Sequence, residues 1–126
     1  MTSVTMGPRA LAFLLSEASA SRSRTSVTVA SGAGKLEPGT VLGRITATDE
    51  YVPSPEAETA GIEGAEIATA ILGYAVDATD GAVDVAAIDR DAEVKTSMLI
   101  FDASIDDQAK TDAKIAQLDA VGIRAR

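Results

Sequence analysis

The chain has 126 residues and a net charge of −8, with no Cys, no His, no Trp and four aromatic residues, Phe13, Tyr51, Tyr74 and Phe101. That length suits one domain that buries roughly two thirds of its unfolded surface, with Ala, Val, Ile and Leu doing most of the filling. The missing residues exclude disulfides, cysteine nucleophiles and a Ser–His–Asp triad, and the acidity argues against generic nucleic-acid binding, which needs Lys and Arg to neutralise phosphates.

Residues 1–24 mix Ser, Thr, Ala and Arg around one apolar patch, Leu11, Phe13, Leu14 and Leu15. Nothing before Val27 shows sustained patterning, so residues 1–24 are expected to form a flexible arm and residues 25–126 a single β-rich domain. The arm carries Arg9, Arg22 and Arg24 against Glu17, a balance of +2 that leaves −10 for the rest. Two readings of that asymmetry stand side by side, a polar arm on a solvated acidic body and an arm that docks on an acidic partner. The apolar run from Ala10 to Leu15 is six residues, short of a secretory signal core. No stretch approaches the ~18–20 apolar residues of a membrane span.

From residue 26 short β segments alternate with turn residues. Ser26 to Val29 alternates cleanly, and Ser31-Gly32-Ala33-Gly34 breaks it. Pro38-Gly39 turns the chain into a strand over Thr40–Thr48, and Tyr51-Val52 is a stub stopped by Pro53 and Pro55. Ser54 to Gly64 reads as an exposed acidic loop. Ile67–Asp77 is the longest strand candidate, Asp77 to Gly81 is a turn, Ala82–Ile88 returns, and Met98–Phe101 is a further apolar run. One segment departs from this pattern. Asp106-Asp107 precedes Ile115, Leu118 and Val121 at helical spacing with Ala109, Ala113 and Ala116, which predicts a helix over 106–121 ended at Gly122. The chain therefore reads as mainly β with one C-terminal helix.

The motifs that carry chemistry fail on inspection. Gly34-Lys35 ends like a phosphate-binding loop, but the required first Gly is Val29 and the required Ser or Thr is Leu36. A calcium loop starting at Asp77 needs Gly at its sixth position and Glu at its twelfth, where Ala82 and Ile88 stand. Asp89-Arg90-Asp91 with Glu93 could hold Mg²⁺ or act as an acid–base pair, against the plainer reading of a strand exit where Arg90 pairs with neighbouring acids. Ser16 and Ser23 receive no nucleophilic role, because many Ser and four Lys make chance pairings expected. No cofactor, metal or catalytic residue is assigned.

The order of segments resembles the lambda-type head decoration proteins of bacteriophages. The likeness opens at Phe13-Leu14-Leu15-Ser16-Glu17-Ala18, Arg22-Ser23-Arg24 and Val27 to Gly32, and continues through Gly39 to Thr46 and Tyr51-Val52-Pro53. It resumes at Ala70-Ile71-Leu72, Ala75 to Thr79 and Arg90 to Val94, and closes with the helix and Gly122-Ile123, so that it spans residues 13–126. Members often carry Trp near the position of Phe101, and the acidic loop from Ser54 to Glu66 matches no pattern of the family.

The resemblance implies a β-clip-like fold and a homotrimer that sits on the outer surface of the expanded head at three-fold and quasi-three-fold positions. It also implies an arm that orders against the major capsid protein, with no enzymatic activity and no direct nucleic-acid or membrane partner. Carried to this chain, the capsid-binding role falls on Leu11, Phe13, Leu14 and Leu15 as apolar anchors and on Arg22 and Arg24 as electrostatic guides. Leu11 lies outside the matched segments and is included for its expected exposure. Two other β-rich classes remain as rivals. One is the trimeric nucleotide pyrophosphatases that hydrolyse dUTP on a β-clip. The other is the small biotinyl or lipoyl carrier domains, for which Lys35 beside Gly34 is the one loosely suitable attachment site.

Overall fold

The computed structural model describes residues 9–17 and 24–126. In chain order the elements are β1 (Leu14–Glu17), β2 (Arg24–Val29), β3 (Lys35–Leu36), β4 (Val41–Arg44), β5 (Tyr51–Pro53), β6 (Ala68–Leu72), β7 (Val76–Asp77), β8 (Val83–Ile88) and β9 (Ala92–Val94). A 3-10 turn over Thr96–Met98, helix α1 (Gln108–Ala120) and strand β10 (Ile123–Ala125) complete the chain. The protein is mainly β with a single C-terminal helix.

Five strands close a small barrel in the order β2-β5-β4-β6-β8. Its longest seam is antiparallel, β2 on β8 from Arg24↔Ile88 to Val29↔Val83. The barrel shuts through one parallel pair, Val29↔Tyr51. The alternation read at Val27 and Val29 is the inward face of β2, and both join Leu42, Ala70, Leu72, Ala78 and Ala87 in the barrel core. A second core lies outside the barrel wall, where Phe13, Val41, Ala68, Ile71, Ile88, Val94, Leu118 and Ile123 meet. β4, β6 and β8 supply both cores. Strands buried on two faces lose the period-two signal and read as continuous apolar runs, which is why Ala70-Ile71-Leu72 is apolar throughout.

Covering the second core are α1 and a three-stranded sheet in the order β1-β9-β10, with β10 parallel to β9 and β1 antiparallel to it. Helix α1 starts where Asp107 caps it, its carboxylate accepting from the Lys110 amide at 2.8 Å. Its inner face differs from the expected stripe. Lys114 and Leu118 are buried, whereas Ala109, Ala113 and Ala116 face outward. The small alanines are helix formers here rather than core filler.

Three strand expectations change. The segment expected over Thr40–Thr48 stops at Arg44, because Asp49 takes φ 61° and the Ile45 amide reaches the Glu50 carbonyl to close a hairpin. The long candidate Ile67–Asp77 is two strands, broken at Gly73-Tyr74. Residues 13–17, placed in the arm by their composition, lie on the body: Phe13 is 1% exposed and β1 pairs with β9. Edge pairing and one buried aromatic supply what the local pattern lacked. Among the described residues no helix is long and apolar enough to cross a membrane.

Candidate functional site

Four of the six contact residues expected from the sequence lie in one stretch, and the structure gives them different surroundings. Leu11 is half-buried in a left-handed conformation, φ 57°, and its amide donates to the Gly73 carbonyl at 2.9 Å. Gly73 permits this contact: a Cβ there would meet the Ala86 carbonyl oxygen at 2.8 Å and the Leu11 side chain at 3.1 Å. Phe13 points into the second core and is not available at the surface, contrary to its expected role as an exposed anchor. Its burial follows from the scarcity of other large side chains, since one aromatic ring fills what several alanines cannot.

Leu14 is half-buried against the same core, while Leu15 is 49% exposed. The difference comes from a register shift between Leu14 and Ser16, which removes Leu15 from the ladder with β9. Arg22 lies outside the described residues. Arg24 begins β2, and its guanidinium binds the Glu17 carboxylate at 2.7 and 3.0 Å. That hydrogen bond chiefly holds the Arg24 guanidinium above its ordinary value, with burial opposing and Tyr74 a lesser contributor. Arg24 is therefore a clasp between two strands before it is a free charge. The structure thus clasps Arg24 to β1 through Glu17, leaves Leu15 exposed on that strand and buries Phe13.

Two residues that the sequence did not single out have surroundings that their residue type did not foretell. Tyr74, expected near the middle of a strand, sits in the break between β6 and β7 and is 39% exposed. Lys114, hidden within a helical pattern of apolar residues, is 2% exposed. Its ammonium donates to the Ser54 hydroxyl at 2.9 Å and to the Pro55 and Glu66 carbonyls at 2.6 Å each. The Ser54 hydroxyl in turn donates to the Ala65 carbonyl at 2.6 Å. One cation thus gathers both ends of the acidic loop onto α1. Burial pushes Lys114 below the ordinary lysine value, while Glu56, Glu66 and Asp102 pull it the other way.

The motifs tested for chemistry resolve into local structure. Asp77 accepts from the Thr79 amide at 3.1 Å and hydroxyl at 2.6 Å, bonds that close the turn and hold its carboxyl below the usual carboxylate range. Arg90 pairs with Asp89 at 3.0 Å at the exit of β8. Lys35 lies within β3, paired in register with Asp77, rather than at the tip of a hairpin. Among the described residues no three Asp or Glu side chains are grouped to hold a metal. The larger surface hollow, about 450 Å³, is an open polar depression lined by Ser16, Glu17, Asp91, Glu93 and Arg124. A narrower groove of about 180 Å³ runs between Leu36, Pro53, Ile100 and Phe101.

Comparison with known proteins gives one positive result. The sequence profile of the family described as bacteriophage lambda head decoration protein D matches residues 3–123. No curated protein matches the chain.

Proposed function

Because the chain belongs to the bacteriophage lambda head decoration protein D family, we propose that it forms homotrimers on the outer surface of the expanded phage head, at three-fold and quasi-three-fold positions, and cements the shell against internal DNA pressure. The family is one of structural proteins of the virion, and the match over residues 3–123 is the observation that carries the reading. The partner is the major capsid protein. Contact falls to the N-terminal segment, residues 1–24, with Leu11, Leu14 and Leu15 as apolar contacts and Arg22 and Arg24 as guides. Phe13 serves the protein's own core instead.

The physics of such an attachment is simple. Each extended segment can pair its main chain with a sheet edge of the shell, and three segments on one trimer act at high effective concentration. A weak single contact then becomes a durable one, and many trimers share the load. Light scattering on a sizing column, followed by imaging of expanded heads mixed with the protein, tests the reading. A trimer that coats expanded heads is the expected result. A monomer that leaves heads bare, or Mg²⁺-dependent hydrolysis of dUTP, would overturn it.

A further inference from the structure

Asp80-Gly81 has no part in calcium binding, yet it is chemically the most exposed step in the main chain. Every other aspartate is followed by a residue with a side chain, and the chain has no Asn. The pair lies in the turn between β7 and β8, where Thr79, Asp80, Gly81 and Ala82 are all exposed. Asp77, at the start of that turn, spends its carboxylate on the Thr79 amide and hydroxyl. The Asp80 carboxyl and the Gly81 amide hold no hydrogen bond or ion pair with any described residue. A Cβ placed on Gly81 would meet nothing within 4 Å. The flanks, in contrast, are fixed. Ala78 is fully buried, its amide donating to the Gly34 carbonyl at 2.8 Å and its carbonyl accepting from the Gly32 amide at 2.7 Å. On the other side Val83 pairs with Val29 at the end of the barrel seam.

We propose that Asp80-Gly81 is a site of spontaneous covalent modification, at which the folded protein converts in part to an isoaspartyl form while keeping its barrel. The Gly81 amide nitrogen attacks the Asp80 side-chain carboxyl carbon. A new N–Cγ bond forms, and the amide proton and the carboxyl hydroxyl leave as water, giving a cyclic imide. Water then returns at one of its two carbonyls. Addition at Cγ regenerates aspartate. Addition at the main-chain carbonyl breaks the original peptide bond and leaves the chain running through the side-chain carboxyl, with the α-carboxylate as a free group. No oxidant or co-reactant beyond water is needed, and the mass is unchanged. The attack demands an amide and a carboxyl that are not held elsewhere and a backbone free to rotate, which a glycine after the aspartate supplies. The product carries one extra methylene in the main chain. An exposed turn tip absorbs such a change, so the β2–β8 seam on its far side is retained.

The test ages the folded, full-length protein at physiological temperature in water enriched in heavy oxygen, followed by peptide mapping. The expected result is a second peptide carrying Asp80 that elutes separately, grows with time and holds one heavy oxygen atom. It should resist cleavage by a protease that cuts before aspartate, and accept a methyl group from an isoaspartyl carboxyl methyltransferase. The melting temperature of the aged protein should match that of fresh protein. Gly81→Ala is expected to slow the conversion several-fold or more, because its Cβ hinders the attack. Asp80→Glu, which would have to close a larger ring, is expected to abolish it and serves if the alanine variant folds poorly. Absence of the isoaspartyl peptide from the aged parent overturns the proposal. So does conversion that is as fast at Asp77 or Asp84, that begins only once the chain is unfolded by denaturant, or that lowers the melting temperature in step with its extent.

Discussion

Phe13 and Lys114 show how differently two buried side chains can serve one small core. Phe13 is the single aromatic among the fully buried side chains, so its ring fills volume that no neighbour can supply. Phe13→Ala should lower unfolding stability by about 3–5 kcal/mol, the usual cost of a core cavity of that size, in a denaturant titration. A cost below ~1 kcal/mol would mean that the ring is peripheral, as the sequence suggested. Lys114 spends all three ammonium protons on neutral oxygens of Ser54, Pro55 and Glu66. Lys114→Met leaves two carbonyls without that donor and should cost about 1–3 kcal/mol, with earlier proteolysis within residues 55–66. The pH dependence has a definite sign. Burial holds the Lys114 ammonium below its ordinary value of 10.5, so the folded chain binds this proton less tightly than the unfolded chain. The contribution of Lys114 to stability therefore rises as pH climbs from its folded value towards 10.5. Over that alkaline window the advantage of the parent over Lys114→Met should widen. A narrowing gap would mean that the three oxygens solvate the ammonium better than water does.

At the scale of elements, close backbone approach explains what pattern alone missed. β4 passes the end of the acidic loop so closely that a Cβ on Gly43 would lie 1.9 Å from the Ala65 carbonyl oxygen. Gly43→Ala should cost more than ~3 kcal/mol or prevent folding, since backbone on both sides must shift. Gly81→Ala is the matched comparison: its Cβ meets nothing within 4 Å, and its stability should stay within ~0.5 kcal/mol of the parent. Equal melting temperatures for the two variants would refute the close approach. The same contrast explains what was legible in the sequence. β2, β8 and α1 were, because alternation, turn chemistry and the Asp107 cap are local signals. The helix was found with Leu118 on its inner face, but Lys114 was not expected there, because it is polar by type and buried by context. β1 and β9 were missed. Ala92–Val94 was read as part of a charged cluster, and Leu14–Glu17 has no alternation; each is a strand through partners far away in the chain. Of the proposed contact residues, Leu15 is exposed as expected, whereas the burial of Phe13 was not legible because it depends on partners far along the chain. The exposure of Tyr74 was hidden too, because a strand break at Gly73 looks like strand interior until the fold is known.

At the scale of the whole molecule, Lys114 ties the acidic segment before β6, with Glu56, Glu58, Glu63 and Glu66, to helix α1, and the Glu56 amide joins it to the 102–107 segment through Ser104. Truncation separates the structural part of the N-terminal segment from the rest. Deleting residues 2–8 leaves Phe13, β1 and every other described element in place, so the shortened protein should melt as the parent does. It should bind heads more weakly, because main-chain pairing by that segment is lost. Deleting residues 2–17 also removes Phe13 and β1, and with them the outer strand beside β9 and the largest side chain of the second core. Domains of this size are stable by about 5–15 kcal/mol, so that loss should leave a substantial unfolded fraction in calorimetry. If the 2–17 deletion melts like the parent, residues 9–17 belong to a detachable arm after all. If the 2–8 deletion binds as tightly as the full chain, main-chain pairing by that segment is not what holds the protein to the head.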